Sequence, residues 1–259
     1  MQIANTQPQT NLQADTRLQN WVKTFVLFGL ALYFLYNILS GNLTNYINVR
    51  FAWLAYLAVV IFAALGAVSA FDLLHPRRTD PLDDAIVPAN AHVQVSWGVL
   101  AITAIPLILG TLIPSQPLGA SAIEGNISTS AVSTSGITTL TTNPLERNVL
   151  DWLRAFNRST NLAEFSGQPA DLIGFVYREP DFSEGQFMVA RFTISCCVAD
   201  ASAIGLPVVW ASDTALNDGE WVRVQGSFQS GQFRGQEIPM LHATSVEVVA
   251  QPEHPYLYP

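Results

Sequence analysis

The chain has 259 residues, of which 49% are hydrophobic and only 12% are charged. Soluble domains carry about a quarter charged residues, so part of this chain is expected to lie in lipid. The whole formal net charge of −8 is located after residue 114, where there are 15 acidic and 7 basic residues. An acidic soluble part argues against nucleic acid or an anionic lipid surface as its partner, because both bind positively charged proteins. Two cysteines are too few for a disulfide scaffold.

Residues 1–20 are polar and rich in Gln and Asn, which predicts a short disordered tail. Three apolar runs follow, over 21–39, 51–74 and 95–113. Each is close to the roughly 20 residues that a helix needs to cross a bilayer core. None offers the polar face that a soluble helical bundle would require. We therefore predict that residues 21–114 form a three-helix transmembrane region.

The basic residues predict how these helices are oriented. With three crossings, the N-terminal tail and the second loop share one side, which holds Arg17, Lys23, Arg77 and Arg78. The first loop, on the side of the C-terminal region, holds only Arg50. The positive-inside rule then predicts a multi-pass protein of the cytoplasmic (inner) membrane, with the N-terminus inside and the C-terminal domain outside.

The second run carries small residues at helical spacing, namely Ala63, Gly66, Ala67 and Ala70. Such a face lets another helix approach closely, although an Ala-rich helix that simply faces lipid explains it equally well. No charged residue lies in the middle of a run, so the sequence predicts no ion path or proton relay. If transport is the function, another subunit supplies the pore.

Residues 115–143 are rich in Ser, Thr, Gly and Ala and predict a flexible linker. Residues 144–259 are expected to form an extracytoplasmic β domain with a leading helix. Asn143 is a candidate cap for that helix, with Pro144 at its first position. Apolar residues then follow at helical spacing: Leu145, Val149, Trp152, Leu153 and Phe156.

Five β-like stretches follow, at 170–177, 187–194, 206–210, 220–228 and 241–249. Five short strands with Gly174 inside the first are compatible with a small closed barrel of the OB type, and a β-sandwich is the alternative. The expected fold class is thus membrane α, with three transmembrane helices, plus a C-terminal all-β domain that is a small OB-like barrel. OB folds often bind single-stranded nucleic acid through a basic groove, but the acidity of this domain argues against it.

Both cysteines, Cys196 and Cys197, stand side by side at the end of the second predicted strand. Neighbours on a strand point to opposite faces, but the residues from Ala199 to Gly205 indicate that the strand ends and turns, which would bring the two sulfurs together. Thiolates favour zinc, copper(I) or similar ions, and a carboxylate or imidazole can complete the shell. The predicted metal site comprises Cys196, Cys197, Asp200 and His242, with Glu253 and His254 as further candidates.

Four interpretations of the cysteine pair remain open at this point: two buried small side chains without chemistry, capture or hand-over of a metal, thiol redox chemistry, and a vicinal disulfide. A Cys-Cys dipeptide differs from the Cys-x-x-Cys of thioredoxin-like proteins. The sequence contains no recognisable Ser/His/Asp triad, phosphate loop or His-Glu-x-x-His motif. We therefore expect a protein that is not an enzyme.

Several motifs together resemble a bacterial membrane protein family whose members are labelled as subunits of a two-component permease. They are 174–177 (Gly-Phe-Val-Tyr), 191–201 with its Cys-Cys-x-Ala-Asp core, 221–226 and 255–258. The resemblance implies N-terminal membrane helices, a β-rich C-terminal domain, a larger multi-helix permease as partner, and a link to the handling of divalent metals such as zinc. It also implies that Cys196, Cys197 and Asp200 are the functional centre, and it leaves open whether His242 or His254 takes part.

The sequence thus favours a non-enzymatic accessory subunit of a membrane permease, with metal or substrate bound near the cysteine pair. The resemblance adds the expectation that this permease handles divalent metal (zinc). The expected partners of the chain are a larger multi-helix permease subunit and membrane lipid, with no nucleic acid. A zinc or copper ion is the expected cofactor, if there is one. The alternatives are a membrane-anchored thiol redox protein and a purely structural membrane anchor.

Overall fold

The computed structural model describes residues 9–75, 96–123, 125, 127–129, 143–180, 182–211 and 216–259, with side chains from residue 17 onward. The chain divides into two compact units. The first comprises Met1–Leu43 and Arg50–Ser115, and the second comprises Thr44–Val49 and Gln116–Pro259. The second unit therefore contains a short segment that the chain supplies between its first two helices.

The first unit is helical. Its helices are α1 (Gln9–Leu39), α2 (Trp53–Leu74) and α3 (Trp97–Leu112). The helix α1 begins inside the stretch 1–20, where the sequence predicts a disordered tail, and residues 1–8 lie outside the described part of the chain. Because no Gly or Pro occurs from residue 9 to residue 28, nothing in this sequence interrupts the helix before the apolar run.

Two of the three predicted spans are long and apolar enough to cross a membrane. They are Arg17–Leu39, with 23 residues, and Val49–Leu74, with 26 residues. The helix α3 is apolar but has only 16 residues, a rise of about 24 Å against a hydrocarbon core of about 30 Å. Large apolar side chains on α2 such as Val60, Phe71 and Leu74 are exposed, as lipid contact requires. The chain is thus suited to a membrane.

The helix α1 uses part of the small-residue face of α2. Gly66 is buried, and a Cβ atom there would lie 3.2 Å from the ring of Phe28. Next to this contact the hydroxyls of Thr24 and Ser69 lie 2.7 Å apart. Ala67, one residue after Gly66, is exposed. Only part of the predicted face is therefore left for a second protein.

The second unit is built on six strands. They are β1 (Pro169–Tyr177), β2 (Gln186–Thr193), β3 (Ser202–Val209), β4 (Trp221–Phe233), β5 (Gln236–Val248) and β6 (Tyr256–Leu257). All five predicted strands are present, although β3 and β5 begin four or five residues earlier than predicted. Their first halves contain Ala, Gly, Gln and Pro, which are weak strand formers, so pairing with neighbouring strands decides their length.

The strands form one mixed sheet in the order β1-β4-β5-β3-β2-β6, and β1 also pairs with β2. The β3–β5 and β2–β6 pairs are parallel, and the others are antiparallel. Gly174 in β1 lies where the chain is crowded, because a Cβ atom there would lie 2.6 Å from the carbonyl oxygen of Ala190. A glycine is required at this position by the close approach of two strands.

The leading helix is shorter than predicted. The helix α4 spans Val149–Arg158, and its cap is Asn148, whose side chain and that of Asp151 form a reciprocal capping box. Asn143 instead caps a separate 3-10 turn, Pro144–Glu146. The apolar side of α4 packs into the core of the second unit. There the ring centroids of Trp152 and Phe228 lie 4.6 Å apart.

Part of the predicted linker 115–143 belongs to the second unit. Ile127 is only 1% exposed. Its amide donates to Oε1 of Glu179 over 3.3 Å, and its carbonyl accepts from Nη1 of Arg234 over 2.9 Å. Ser128 adds a parallel bridge to Ile204. Within the predicted linker, Ile127 thus occupies a buried site in the second unit, while residues 130–142 lie outside the described range.

Candidate functional site

The cysteine pair lies on the turn between β2 and β3, which we call the cysteine corner (residues 195–200). The strand β2 ends at Thr193, and the short helical turn Val198–Asp200 leads into β3. The carboxylate of Asp200 closes the turn, because Oδ1 accepts the amide of Ser195 over 2.9 Å and Oδ2 accepts that of Cys196 over 2.7 Å. The predicted end of the strand is confirmed.

The turn places the two sulfurs side by side. The Sγ atoms of Cys196 and Cys197 lie 3.6 Å apart, and both thiols are free. Cys196 is exposed and Cys197 is half-buried. A continued strand would have sent the two side chains to opposite faces. The interpretation as two buried apolar side chains therefore does not hold.

The carboxylate also controls the acidity of the corner. Burial acts to raise the pKa of Asp200, but hydrogen bonds from Cys196 and its neighbours outweigh it and lower that pKa below its ordinary value. The hydrogen bond to Asp200, followed by that to Cys197, raises the pKa of Cys196 to about 11. Cys196 is thus a protonated thiol at neutral pH. A cysteine acts as the thiolate both in redox chemistry and as a metal ligand, so either use of Cys196 requires the loss of this proton.

A segment from the first loop, Thr44–Val49, lies along the corner, and we call it the strap. The amide of Asn48 donates to the carbonyl of Cys196 over 3.0 Å, and its side chain donates to the carbonyl of Ser195 over 2.9 Å. The backbone amide of Val198 donates to the backbone carbonyl of Tyr46 over 2.8 Å. An antiparallel β-bridge joins Ile47 to Cys197. The backbone of the corner is therefore held by another part of the chain.

Sequence reasoning missed the strap because it lies between two strongly apolar runs. One signal was present: Tyr46, Ile47 and Val49 favour extended structure.

The C-terminal segment contacts the other side of the strap. Tyr256 in β6 donates its hydroxyl to the carbonyl of Asn45 over 3.1 Å, and Thr44 donates to that of Glu253 over 3.3 Å. Tyr256 is only 2% exposed, so the C-terminal segment packs on the second unit.

A buried arginine fixes the C-terminal segment. Arg191 in β2 is 6% exposed. Its guanidinium donates to the carbonyls of Pro255, Ile173 and His254 over 2.8–3.1 Å. The group also lies 5.1 Å from the ring of Trp221. Burial lowers the pKa of Arg191 to about 10, so it remains charged at neutral pH. Backbone carbonyls provide the negative dipoles that this buried charge needs.

The structure does not bring His242 to the cysteine corner. In the sheet His242 pairs with Val209, the last residue of β3, whereas the corner precedes Ser202, the first. These two ends of β3 are about 23 Å apart at about 3.3 Å per residue. The side chains of Glu253 and His254 are exposed. Within the described ranges, no three His, Cys, Asp or Glu side chains are grouped to hold a metal ion. Of the four residues predicted from the sequence, the structure brings Cys196, Cys197 and Asp200 together and does not bring His242 to them.

A cavity of about 150 Å³ lies elsewhere in the second unit, between α4 and the strands β3 and β5. Leu153, Phe156, Leu206 and Ile238 form its apolar walls. Its described polar lining consists of Thr129, Asn157 and Gln236, and none of these three side chains is titratable. The described lining of the cavity therefore has fewer reactive side chains than the cysteine corner.

Two family comparisons match this arrangement. Residues 22–128 match the DUF1980 N-terminal domain, and residues 135–259 match the DUF1980 C-terminal domain. The chain belongs to the DUF1980 family. The family resemblance drawn from the sequence motifs is thereby confirmed. The boundary between the two DUF1980 domains falls within 129–134, a region inside the predicted linker.

Two curated relatives of this DUF1980 protein match over nearly their whole length. "UPF0703 protein YcgQ" of Bacillus subtilis (strain 168) is 23% identical over 280 residues, covering 91% of this chain and 98% of the relative. A protein of Streptococcus mutans serotype c (strain ATCC 700610 / UA159) is 24% identical over 279 residues, covering 92% and 98%. Its name is "Putative two-component membrane permease complex subunit".

Proposed function

We propose that this DUF1980 protein is a non-enzymatic accessory subunit of a membrane permease complex. The observation that carries the proposal is its end-to-end similarity to the Streptococcus mutans protein named as a subunit of such a complex. The two long apolar helices of the first unit agree with a membrane role. The larger, multi-helix partner supplies the path for the substrate.

The composition of the helices supports an accessory role over an independent transporter. Asp72, near the end of α2, is the only charged residue in α2, and α3 has none. The charged residues of α1, ending with Lys23, lie in its first half. Substrate and ion paths through a membrane are marked by buried polar and ionisable groups. A partner must therefore provide those groups.

We further propose three membrane crossings. The strap follows α1 and packs on the cysteine corner, which follows α3, so the strap and the corner lie on the same side of the membrane. The chain between them must then cross an even number of times. If α2 spans, α3 spans as well, despite its 16 residues. Flanking apolar residues and local thinning of the bilayer accommodate a short helix at modest cost.

The orientation and the barrel complete the proposal. The basic residues Arg17, Lys23, Arg77 and Arg78 support a cytoplasmic N-terminus by the positive-inside rule, and in this proposed orientation the second unit lies outside. Among the strands β1 to β5, each pairs with two others of the five, and these pairings return to β1. That order supports a small closed barrel of the OB type, which leaves no long exposed edge.

Purification of the tagged full-length protein from its native membranes tests the subunit role. After cross-linking and mild detergent extraction, we expect a larger multi-helix membrane protein in a fixed ratio to this chain. Ala67→Trp, on the exposed remainder of the small-residue face, should reduce that recovery. Val68→Trp, at the next and equally exposed position, should not. Recovery of the wild-type chain alone after cross-linking would count against the proposal.

The two native cysteines test the topology without an engineered label. Because both lie in the second unit, a membrane-impermeant maleimide should label the wild-type protein in intact cells. The Cys196→Ser/Cys197→Ser variant has no cysteine and serves as the negative control for labelling. In that background, Thr79→Cys in the second loop should be labelled only after the cells are opened. Labelling of Thr79→Cys in intact cells would refute the proposed orientation.

A further inference from the structure

We propose that Cys196 and Cys197 form a two-sulfur chelating site for one soft, thiophilic metal cation. The site would bind a d¹⁰ ion of the zinc, cadmium or copper(I) class. This inference goes beyond the role as a subunit and does not depend on the identity of a partner. It replaces the four-ligand site expected from the sequence, since His242 lies at the other end of β3.

The distance between the sulfurs matches chelation of a single ion. The two Sγ atoms lie 3.6 Å apart. With metal–sulfur bonds of about 2.3 Å, this separation corresponds to a sulfur–metal–sulfur angle of roughly 103°. That angle is close to tetrahedral. The pair can therefore hold an ion between its sulfurs with little movement of either side chain.

The corner is organised before any ion binds. Asp200 accepts the amides of Ser195 and Cys196 on one side of the turn. On the other side, Asn48 and Tyr46 of the strap bind the backbone of residues 195, 196 and 198. These bonds fix the backbone on which both thiols are mounted. Less conformational entropy is then lost when the sulfurs close on an ion.

The surroundings favour a cation that exchanges. Asp200 contributes a carboxylate beside Cys196, and an adjacent negative charge attracts a cation. Cys196 is exposed, so an ion can reach the sulfurs directly. Within the described ranges no third protein ligand of the His, Cys, Asp or Glu type is grouped with them. Two coordination positions are thus left for water or an incoming ligand, unlike in the closed four-ligand sites of structural zinc.

Cadmium(II) is a suitable probe, because its thiolate complexes absorb in the ultraviolet. The full-length protein in detergent, fully reduced and free of oxygen, should bind one equivalent of cadmium with a thiolate charge-transfer band. Cys196→Ser and Cys197→Ser should each weaken binding at least tenfold and reduce the band. His242→Ala is the matched control and should bind like the wild type.

A second readout protects the test against misfolded variants. Bound cadmium should shield both cysteines of the wild-type chain from maleimide, as measured by intact mass. Absence of the band and of the protection in the wild type would overturn the proposal. So would a His242→Ala variant that loses binding as the cysteine variants do. A chain that binds cadmium but copurifies with no permease would retain the dithiol site and lose only the subunit role.

Discussion

The side-chain amide of Asn48 donates to the backbone carbonyl of Ser195 over 2.9 Å, although 147 positions separate them in the sequence. Asn48 stands between the first two helices, and Ser195 begins the turn that carries both cysteines. The bond lies within the second unit and joins the strap to the cysteine corner. It is the contact on which the proposed three crossings depend.

Replacing Asn48 should weaken the corner. Asn48 is 2% exposed, so Asn48→Ala leaves the carbonyl of Ser195 without its donor, and we expect a loss of about 1–3 kcal/mol in unfolding free energy. Asn48→Asp should be at least as harmful, because a carboxylate cannot donate. Thermal unfolding of the full-length protein measures the effect. Gln229→Ala removes an exposed amide from β4 and should cost less than about 0.5 kcal/mol; equal effects at both positions would contradict the proposed packing.

Asp200 should stabilise the corner in a pH-dependent manner. Its pKa is lower in the folded protein, so its contribution is present above the unfolded pKa and is lost as the pH falls through the folded pKa. Asp200→Asn should destabilise the protein by about 0.5–1.5 kcal/mol near neutral pH, since the amide accepts only one of the two backbone donors. Unfolding curves from pH 6 to pH 3 should show the gap between wild type and variant shrinking. A constant gap would contradict the assignment.

The same carboxylate should suppress the reactivity of Cys196. The hydrogen bond to Asp200 is the first cause of its pKa of about 11. In the Cys197→Ser background, Asp200→Asn should lower that pKa, and each unit of decrease gives about ten times more thiolate. Alkylation by iodoacetamide at pH 8 should therefore accelerate several-fold. Rates that rise with pH in the same way with and without Asp200 would show that the carboxylate does not act on the thiol.

Arg191 should hold the C-terminal segment. Arg191→Met removes the donors to three carbonyls, and we expect a cost of about 2–4 kcal/mol. Residues 252–259 should also become sensitive to proteases. The matched control is Arg223→Met, which removes a half-exposed ion pair with Asp171 and should cost at most about 1 kcal/mol. Protection of the C-terminal segment in Arg191→Met would refute this role.

Gly174 should tolerate no side chain. A Cβ atom there would lie 2.6 Å from the backbone oxygen of Ala190, which cannot move without disturbing the β1–β2 pairing. Gly174→Ala should cost about 1–3 kcal/mol. A Cβ atom added at Gly231 in β4 would lie 2.6 Å from the sulfur of Met240. That sulfur belongs to a flexible side chain, which can move. Gly231→Ala should therefore cost less than Gly174→Ala in chemical denaturation, and the reverse order would show that the β1–β2 contact is not rigid.

Local patterns predicted most of the elements. The apolar runs of α1 and α2 are long enough to be recognised without a partner, because a helix satisfies its own backbone hydrogen bonds. The alternation in β4 and the turn after Asp218 set that strand in the same way. The boundaries were less well predicted. The cap of α4 fell on Asn148 instead of Asn143, since the capping box of Asn148 and Asp151 is the stronger start signal.

The sequence by itself determined the apolar helices, the acidic β region and the adjacency of the two cysteines. Only the tertiary structure decided that Ile127 is buried, that the strap lies on the cysteine corner and that His242 is remote from it. The physical reason is the range of the interactions. Helical periodicity and turn chemistry act over a few residues. The hydrogen bond from Asn48 to Ser195 and the pairing of Val209 with His242 depend instead on where segments far apart in sequence meet.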